Sequence, residues 1–597
     1  MLRKEIIFEK LFFGLIIVDI NKNSKTIKKL SSLRFFVVFL LTCSNLKLSA
    51  MKSTRRNFIQ SMGVGAIGLS LPNVSFGKNT TNDISAQEDQ ILHIGDNIAV
   101  AQTEHGKVRG FILRGIHQFL GIPYGADTSG KNRFMPPQKP TPWNEVKPTI
   151  WWGNTAPQIM EKRYANVVSS FVDHWNYDDV SEDCLKLNVW TPALDNNKRP
   201  VVVWLHGGGF VNGNGIEQDG YHGENLARFG DIVFCSVNHR LGALGYCCLS
   251  AAGGGSESGN AGNLDIVASL EWVKNNITQF GGDPGNVTII GQSGGGAKVT
   301  TLMNMPAAKG LFHKAVALSG SSLIGVNKDY AEKLGLKVME EAGLKAGEIE
   351  KLQQLPWLEF IQIANKAVSK LSEEAKKMGI QREGFSPVSD GIHLIKEPFF
   401  STDLSANVPL MINTTFHEWT PSRADASLEN VTWEQVTEKL TPRFGEKSNS
   451  ILTAYKKQFP TASPVEIWAL ILSNRKNAIA AADAKTKQGK APVYLSWFGW
   501  EPPLFDGRMR AFHCIDICFW FYNTDLMYTH TGGGKRPKVL SQKMAGSFLK
   551  FIKTGNPNGG GLPQWTPYST ENGETMILDD ICLMQNNPDA EARKALD

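Results

Sequence analysis

The chain has 597 residues, 42% of them apolar and 20% charged, close to globular averages, so disordered, collagenous and wholly membrane-embedded classes are excluded. Its formal charge of +6 is unevenly spread: residues 1–77 hold 12 Lys/Arg against 3 Asp/Glu, and residues 78–597 hold 51 against 54. The body of the protein therefore carries no positive field for nucleic acid, and eight cysteines without a CxxC exclude a disulfide scaffold and a zinc ribbon.

In chain order, the first feature is Ser53-Thr54-Arg55-Arg56-Asn57-Phe58-Ile59, followed by the weakly apolar, Gly-rich run Met62–Leu71. Paired arginines before such a run resemble a bacterial twin-arginine export signal, an address and not an anchor. Ser75 and Gly77 have the small-residue spacing of a signal-peptidase site, which predicts cleavage before Lys78 and a periplasmic or secreted protein. Met51 then reads as the initiator and residues 1–50 as an untranslated upstream extension, although Phe35–Leu41 is itself a candidate signal core. Neither that run nor Leu11–Val18 approaches the ~20 apolar residues of a membrane span, so no stable membrane insertion is expected. The domain reading is 51–77 signal, 78–99 linker and 100–597 a single large α/β domain.

Val201–Leu205, Asp231–Val237 and Val287–Ile290 are unbroken apolar runs rich in β-branched residues, the mark of strands buried on both faces. Between the last two, Leu264, Val267, Leu270, Val273, Ile277 and Phe280 recur at helical spacing. Strand, helix, strand at these lengths predicts a mostly parallel sheet with crossover helices. Residues 327–382 and 428–486 read as helical insertions forming a cap, Val408–Ile412 and Val493–Trp497 as further strands, and Ser541–Lys553 as a closing helix.

The strand Val201–Leu205 runs into His206-Gly207-Gly208-Gly209-Phe210, and the strand Val287–Ile290 into Gly291-Gln292-Ser293-Gly294-Gly295. GxSxG is a weak motif alone, but here it follows a buried strand and opens a helix-capable segment, the strand-turn-helix of a nucleophile elbow. A phosphate-binding loop is the other reading of such glycines, and the GK[ST] it needs is missing. HGGG is the type of loop that offers backbone N–H groups to an oxyanion, which nominates Gly208, Gly209 and Gly294 as donors to a group attacked by Ser293.

Other segments carry a resemblance to a family. Phe119-Leu120-Gly121-Ile122-Pro123-Tyr124-Gly125, Glu182-Asp183-Cys184-Leu185-Lys186-Leu187-Asn188-Val189, Val237-Asn238-His239-Arg240-Leu241-Gly242 and Phe280-Gly281-Gly282-Asp283-Pro284 are similar, in this order, to the FxGIPYA, EDCLxLNV, VNYRLG and FGGDP motifs of the type-B carboxylesterases. The resemblance spans about 100–580 and implies an α/β-hydrolase fold and serine-dependent hydrolysis of a small-molecule carboxylic ester without metal or cofactor. It also implies the rest of a triad. Glu418 stands where the family has its acid, with His417 for the usual Asp and Trp419 for the usual Gly, and Asp390 is the alternative. His513 lies in a segment similar to AxHxxEL, with Asp516 in the Glu place; His530 is the alternative, while His313 and His393 read as structural. The family also holds adhesion proteins without a triad, and amidases or lactonases would share the same nucleophile chemistry. The cysteine that often pairs with that of EDCL has no counterpart upstream except Cys43 in the leader, so Cys184 is expected to be a free, buried thiol. Trp419, Trp497 and Trp500 are candidate walls of the substrate pocket, although burial in the core is the more common fate of each; the substrate itself and the oligomeric state are not set by these motifs.

Overall fold

Val201-Val202-Val203-Trp204-Leu205 is fully buried, and the reason lies in what covers it. Val201, Val203 and Leu205 join one apolar layer, Val202 and Trp204 another, so the alternating side chains of one strand feed two cores. The computed structural model describes residues 90–159, 167–172, 179–380 and 383–597. The candidate signal, Met51, Cys43 and residues 78–89 lie outside the described residues.

The strand belongs to a twelve-stranded sheet. Its members are β1 (Leu92–His93), β2 (Phe111–Leu113), β3 (Ile116–Pro123), β4 (Lys186–Thr191), β5 (Arg199–Leu205), β6 (Val233–Val237), β7 (Gly282–Gln292), β8 (Lys314–Leu318), β9 (Leu410–Thr415), β10 (Val493–Phe498), β11 (Glu574–Leu578) and β12 (Leu583–Asn586). The spatial order is β1-β2-β3-β4-β6-β5-β7-β8-β9-β10-β11-β12. From β6 to β11 every neighbouring pair is parallel. β1 to β4 at one side and β12 at the other join antiparallel. This is the mostly parallel sheet the strand pattern predicts, and it agrees with the α/β-hydrolase fold that the family resemblance implies. β1 already pairs with β2, Leu92 opposite Leu113, inside the stretch read as linker.

The longer helices are α1 (Ala261–Asn276), α2 (Gly294–Leu302), α3 (Lys328–Glu341), α4 (Trp357–Lys377), α5 (Trp433–Phe444), α6 (Ser448–Gln458), α7 (Pro464–Ile471), α8 (Arg475–Thr486) and α9 (Lys535–Thr554). α1 connects β6 to β7 and buries Val267, Leu270 and Val273 against the β5 face that carries Val201 and Val203. α9 covers the opposite face with Phe548, Phe551 and Ile552. The helical insertions have cores of their own: α3 and α4 pack around Tyr330, Val338 and Phe360, and α5 to α7 around Val436, Ile451 and Ile467. Their start points are written in the chain. Thr432 and Gln435 form a capping box ahead of α5, and Ser463 and Glu466 another ahead of α7, each satisfying amides that a helix start leaves free. Among the described residues no helix is long and apolar enough to cross a membrane. Cys184 is a free thiol, fully buried beneath the sheet.

Candidate active site

Ser293 stands between β7 and α2 with φ 56° and ψ −121°, a conformation that residues bearing a Cβ adopt only under strain of about 1–3 kcal/mol. Close packing on all sides enforces it. A Cβ on Gly295 would lie 2.0 Å from the carbonyl oxygen of Leu205, and one on Gly294 would lie 2.1 Å from that of Gly209. Glycine at these two positions lets the elbow press against the end of β5 and the loop that follows it. The Ser293 amide donates to the Leu318 carbonyl at 2.8 Å, which ties the elbow to β8 as well. Its Oγ makes no hydrogen bond among the described residues.

The same contact brings the glycine loop to the serine. Gly208 and Gly209 take φ of 80° and 65°, and neither their amides nor that of Gly294 donates a hydrogen bond among the described residues. Three free N–H groups thus stand near Ser293, one at the start of α2, where the helix dipole favours negative charge. The loop is anchored from below: Lys298, buried on α2, donates to the His206 carbonyl at 2.9 Å. His206 stacks on His239 at 5.1 Å, and burial together with the Lys298 ammonium holds both imidazoles well below their ordinary range.

Glu418 and His513, 95 residues apart in sequence, meet where the loops after β9 and β10 join. The His417 amide donates to the Ala511 carbonyl at 3.1 Å and the His513 amide to the Glu418 carbonyl at 3.2 Å. His513 Nδ1–H donates to Glu418 Oε2 at 2.5 Å, and the Thr415 amide to Glu418 Oε1 at 3.0 Å. Both carboxylate oxygens are therefore occupied in a buried setting. Burial works against a charged imidazole, but Cys514 and Glu418 beside it outweigh burial and raise His513 above its ordinary titration range. With Nδ1 as donor, Nε2 accepts; the Gln292 amide lies 3.2 Å from it. The Cys514 thiol in turn donates to Gln292 Oε1 at 3.3 Å, which fixes the orientation of that amide. Gln292 occupies the first of the two variable positions of GxSxG, which the motif leaves undefined, so only the fold reveals this contact.

The alternatives go elsewhere. Asp390 closes a turn, accepting the amides of Ile392, His393 and Leu394 and pairing with His393 Nδ1 at 2.8 Å. His530 Nε2 donates to the Val172 carbonyl at 3.0 Å, and His313 accepts the Val287 amide. Asp516 is buried and accepts from Asn413 and Trp520; burial, with Glu418 nearby, pushes its carboxyl up to about 6.

Of the three tryptophans, only Trp419 faces open space. Its ring stacks on the His513 imidazole at 4.4 Å, and the residue is 49% exposed. Trp497 and Trp500 are core residues, the commoner of their two readings, and do not wall the pocket. Trp497, on β10, packs on Phe416 at 4.0 Å beneath α5 to α7, and Trp500 packs on Phe519 at 5.0 Å. A cavity of about 600 Å³ opens beside Phe210 and Ser322, and one of about 370 Å³ beside Trp419. Among the described residues no group of three or more His, Cys, Asp or Glu could hold a metal ion.

Comparison with known proteins agrees over nearly the whole described chain. The Carboxylesterase family profile matches residues 97–594. A para-nitrobenzyl esterase of Bacillus subtilis (strain 168) is 32% identical over 517 residues, covering 83% of this chain and 98% of its own. The phenmedipham hydrolase of Pseudarthrobacter oxydans is 30% identical, over 81% and 95% respectively. Among solved structures, an esterase from Clostridium hathewayi, described as able to hydrolyse aliphatic aromatic polyesters, superposes with a TM-score of 0.69. It is 32% identical, over 84% of this chain and 98% of its own. A Geobacillus stearothermophilus carboxylesterase gives the same TM-score at 30% identity, over 84% and 100%.

Proposed function

The chain belongs to the carboxylesterase family, and from that premise we propose that it hydrolyses carboxylic esters through an acyl-enzyme on Ser293. The observation that carries the residue assignment is the 2.5 Å bond between His513 and Glu418 beside the Ser293 elbow. On substrate binding, His513 Nε2 exchanges the Gln292 amide for the Ser293 hydroxyl and takes its proton. The alkoxide attacks the ester carbonyl, and the amides of Gly208, Gly209 and Gly294 hold the oxyanion. The C–O bond to the alcohol breaks, the leaving oxygen receives the proton from His513, and water repeats the sequence on the acyl-enzyme. Glu418 keeps the imidazole in the Nδ1–H tautomer throughout and stabilises its charged form. The twin-arginine-like segment Ser53–Ile59 supports a second proposal, that the enzyme is exported to the periplasm or beyond.

The names of the relatives make para-nitrobenzyl esters and phenmedipham natural first assay substrates. A fluorophosphonate probe, which requires an activated serine, should label Ser293 in the wild type and nothing in Ser293→Ala. That variant should retain the wild-type circular dichroism and lose nitrophenyl-ester hydrolysis. Hydrolysis at the wild-type rate by purified Ser293→Ala would overturn the assignment.

A further inference from the structure

We propose that Lys298 is a positioning residue for the oxyanion hole: its buried ammonium grips the His206–Phe210 loop and holds it where the amides of Gly208, Gly209 and Gly294 converge on one oxygen. The proposal rests on the esterase reading above and adds a residue that lies outside both HGGG and GxSxG.

Placement is the first observation. Lys298 follows Gly294 by four residues on α2, so the two share a face of that helix, one turn apart. Its Nζ donates to the His206 carbonyl at 2.9 Å and lies 5.7 Å from the centre of the Phe210 ring. His206 precedes the three glycines and Phe210 follows them. One side chain thus holds both ends of the loop that carries two donors, and the helix bearing it presents the third.

The build of the loop is the second. The Gly208 carbonyl accepts the Val211 and Asn212 amides at 3.2 and 2.9 Å, bonds that close the loop on itself. Gly208 and Gly209 sit at positive φ and have no side chains with which to pack, so their own residues do little to fix the direction of their amides. The bond from Lys298 joins this segment to α2, and a hydrogen bond from a charged donor is stronger than one from a neutral donor.

Burial is the third. Lys298 is fully buried, where an ammonium costs far more than an apolar side chain of the same length. Its neighbours His206 and His239 stay neutral, because burial first and the ammonium second push both imidazoles well below their ordinary range. The charge therefore stands directly behind the loop without a second cation beside it, and its field favours an oxyanion held on the other side.

The test compares three variants. Lys298→Met and Lys298→Leu remove the donor and keep the site filled; Lys298→Gln keeps an N–H for the His206 carbonyl. The readouts are kcat and KM for nitrophenyl butyrate, and the ratio of kcat/KM for that ester to that for its thiono analogue, whose carbonyl sulfur is a larger and weaker acceptor than oxygen. In the two apolar variants kcat should fall about 10²-fold, as for donors displaced by about an ångström, with KM within about threefold of wild type. The oxo-to-thiono ratio should fall about tenfold, because the fit that favours oxygen is lost. Lys298→Gln should recover about tenfold of the lost kcat. Either apolar variant suffices, provided its circular dichroism matches the wild type. Wild-type kcat in a folded apolar variant, a fall in kcat with the ratio unchanged, or no recovery in Lys298→Gln would each overturn the proposal. Absence of fluorophosphonate labelling in the wild type would overturn the esterase reading itself.

Discussion

Glu418→Gln removes one charge and adds two N–H donors at a point where the structure leaves no freedom for them. In the wild type, Oε1 accepts the Thr415 amide and Oε2 accepts His513 Nδ1–H. A glutamine that keeps its oxygen on Thr415 turns its NH2 toward His513. Nδ1 must then accept, the proton moves to Nε2, and the base can no longer take the Ser293 proton. The reverse orientation restores the productive tautomer but sets the NH2 against the Thr415 amide, leaving two buried donors unsatisfied. At ~1–3 kcal/mol each, the productive form lies roughly 2–6 kcal/mol above the unproductive one, a loss of about 30-fold to 10⁴-fold in kcat/KM. A second readout follows from the charge. The wild-type rate should rise with pH through a midpoint above the ordinary histidine value of ~6.5, since His513 is raised. In Glu418→Gln the residual activity should rise through a lower midpoint, because burial is no longer opposed by the carboxylate. Pre-steady-state acylation by a nitrophenyl ester, followed from pH 5 to 9 on samples with wild-type circular dichroism, measures both. Activity within threefold of wild type, or an unmoved midpoint, would show that Glu418 does not set the tautomer.

Gly294→Ala should lower esterase activity by at least about 10²-fold, the size expected for an oxyanion donor, because the new methyl group would sit 2.1 Å from the Gly209 carbonyl and push the two donor segments apart; a normal kcat would refute this. Burial pushes the Glu501 carboxyl up to about 7, next to His417, which burial and Arg510 push down to about 4. A carboxyl raised in the folded state contributes stability below its unfolded value of ~4.3 that is lost as pH rises through about 7. Glu501→Gln should therefore raise the Tm at pH 8 and leave it unchanged at pH 4, as differential scanning fluorimetry would register. Replacing Arg55 and Arg56 by Lys should strand precursor in the cytoplasm, and normal export of the double variant, checked by cell fractionation, would defeat the export proposal.

Local physics made the serine and its glycine loops legible. An apolar run buried on both faces, a tight turn and a helix start all lie within a dozen residues, so Val287–Leu302 carries its own strand, elbow and helix. The same holds for Val201–Leu205 and the loop His206–Gly209. The flanking strands β4 and β11 are harder to read: Lys186–Thr191 and Glu574–Leu578 are short runs that include polar residues, and they become buried only because other elements cover them. Glu418 and His513 belong to the same class of problem. Many carboxylates follow Ser293 in sequence, and the likeness to a family, not periodicity or spacing, distinguishes Glu418 and His513. Their partnership depends on two loops, 95 residues apart, bonding backbone to backbone. The tryptophans show the limit most directly. Trp419 and Trp497 are the same residue type, yet one stacks on the base and faces a cavity while the other is sealed under α5 to α7. Burial is a property of what arrives from elsewhere in the chain, and Gln292, placed by its motif but given a partner only by the approach of His513 and Cys514, follows the same rule.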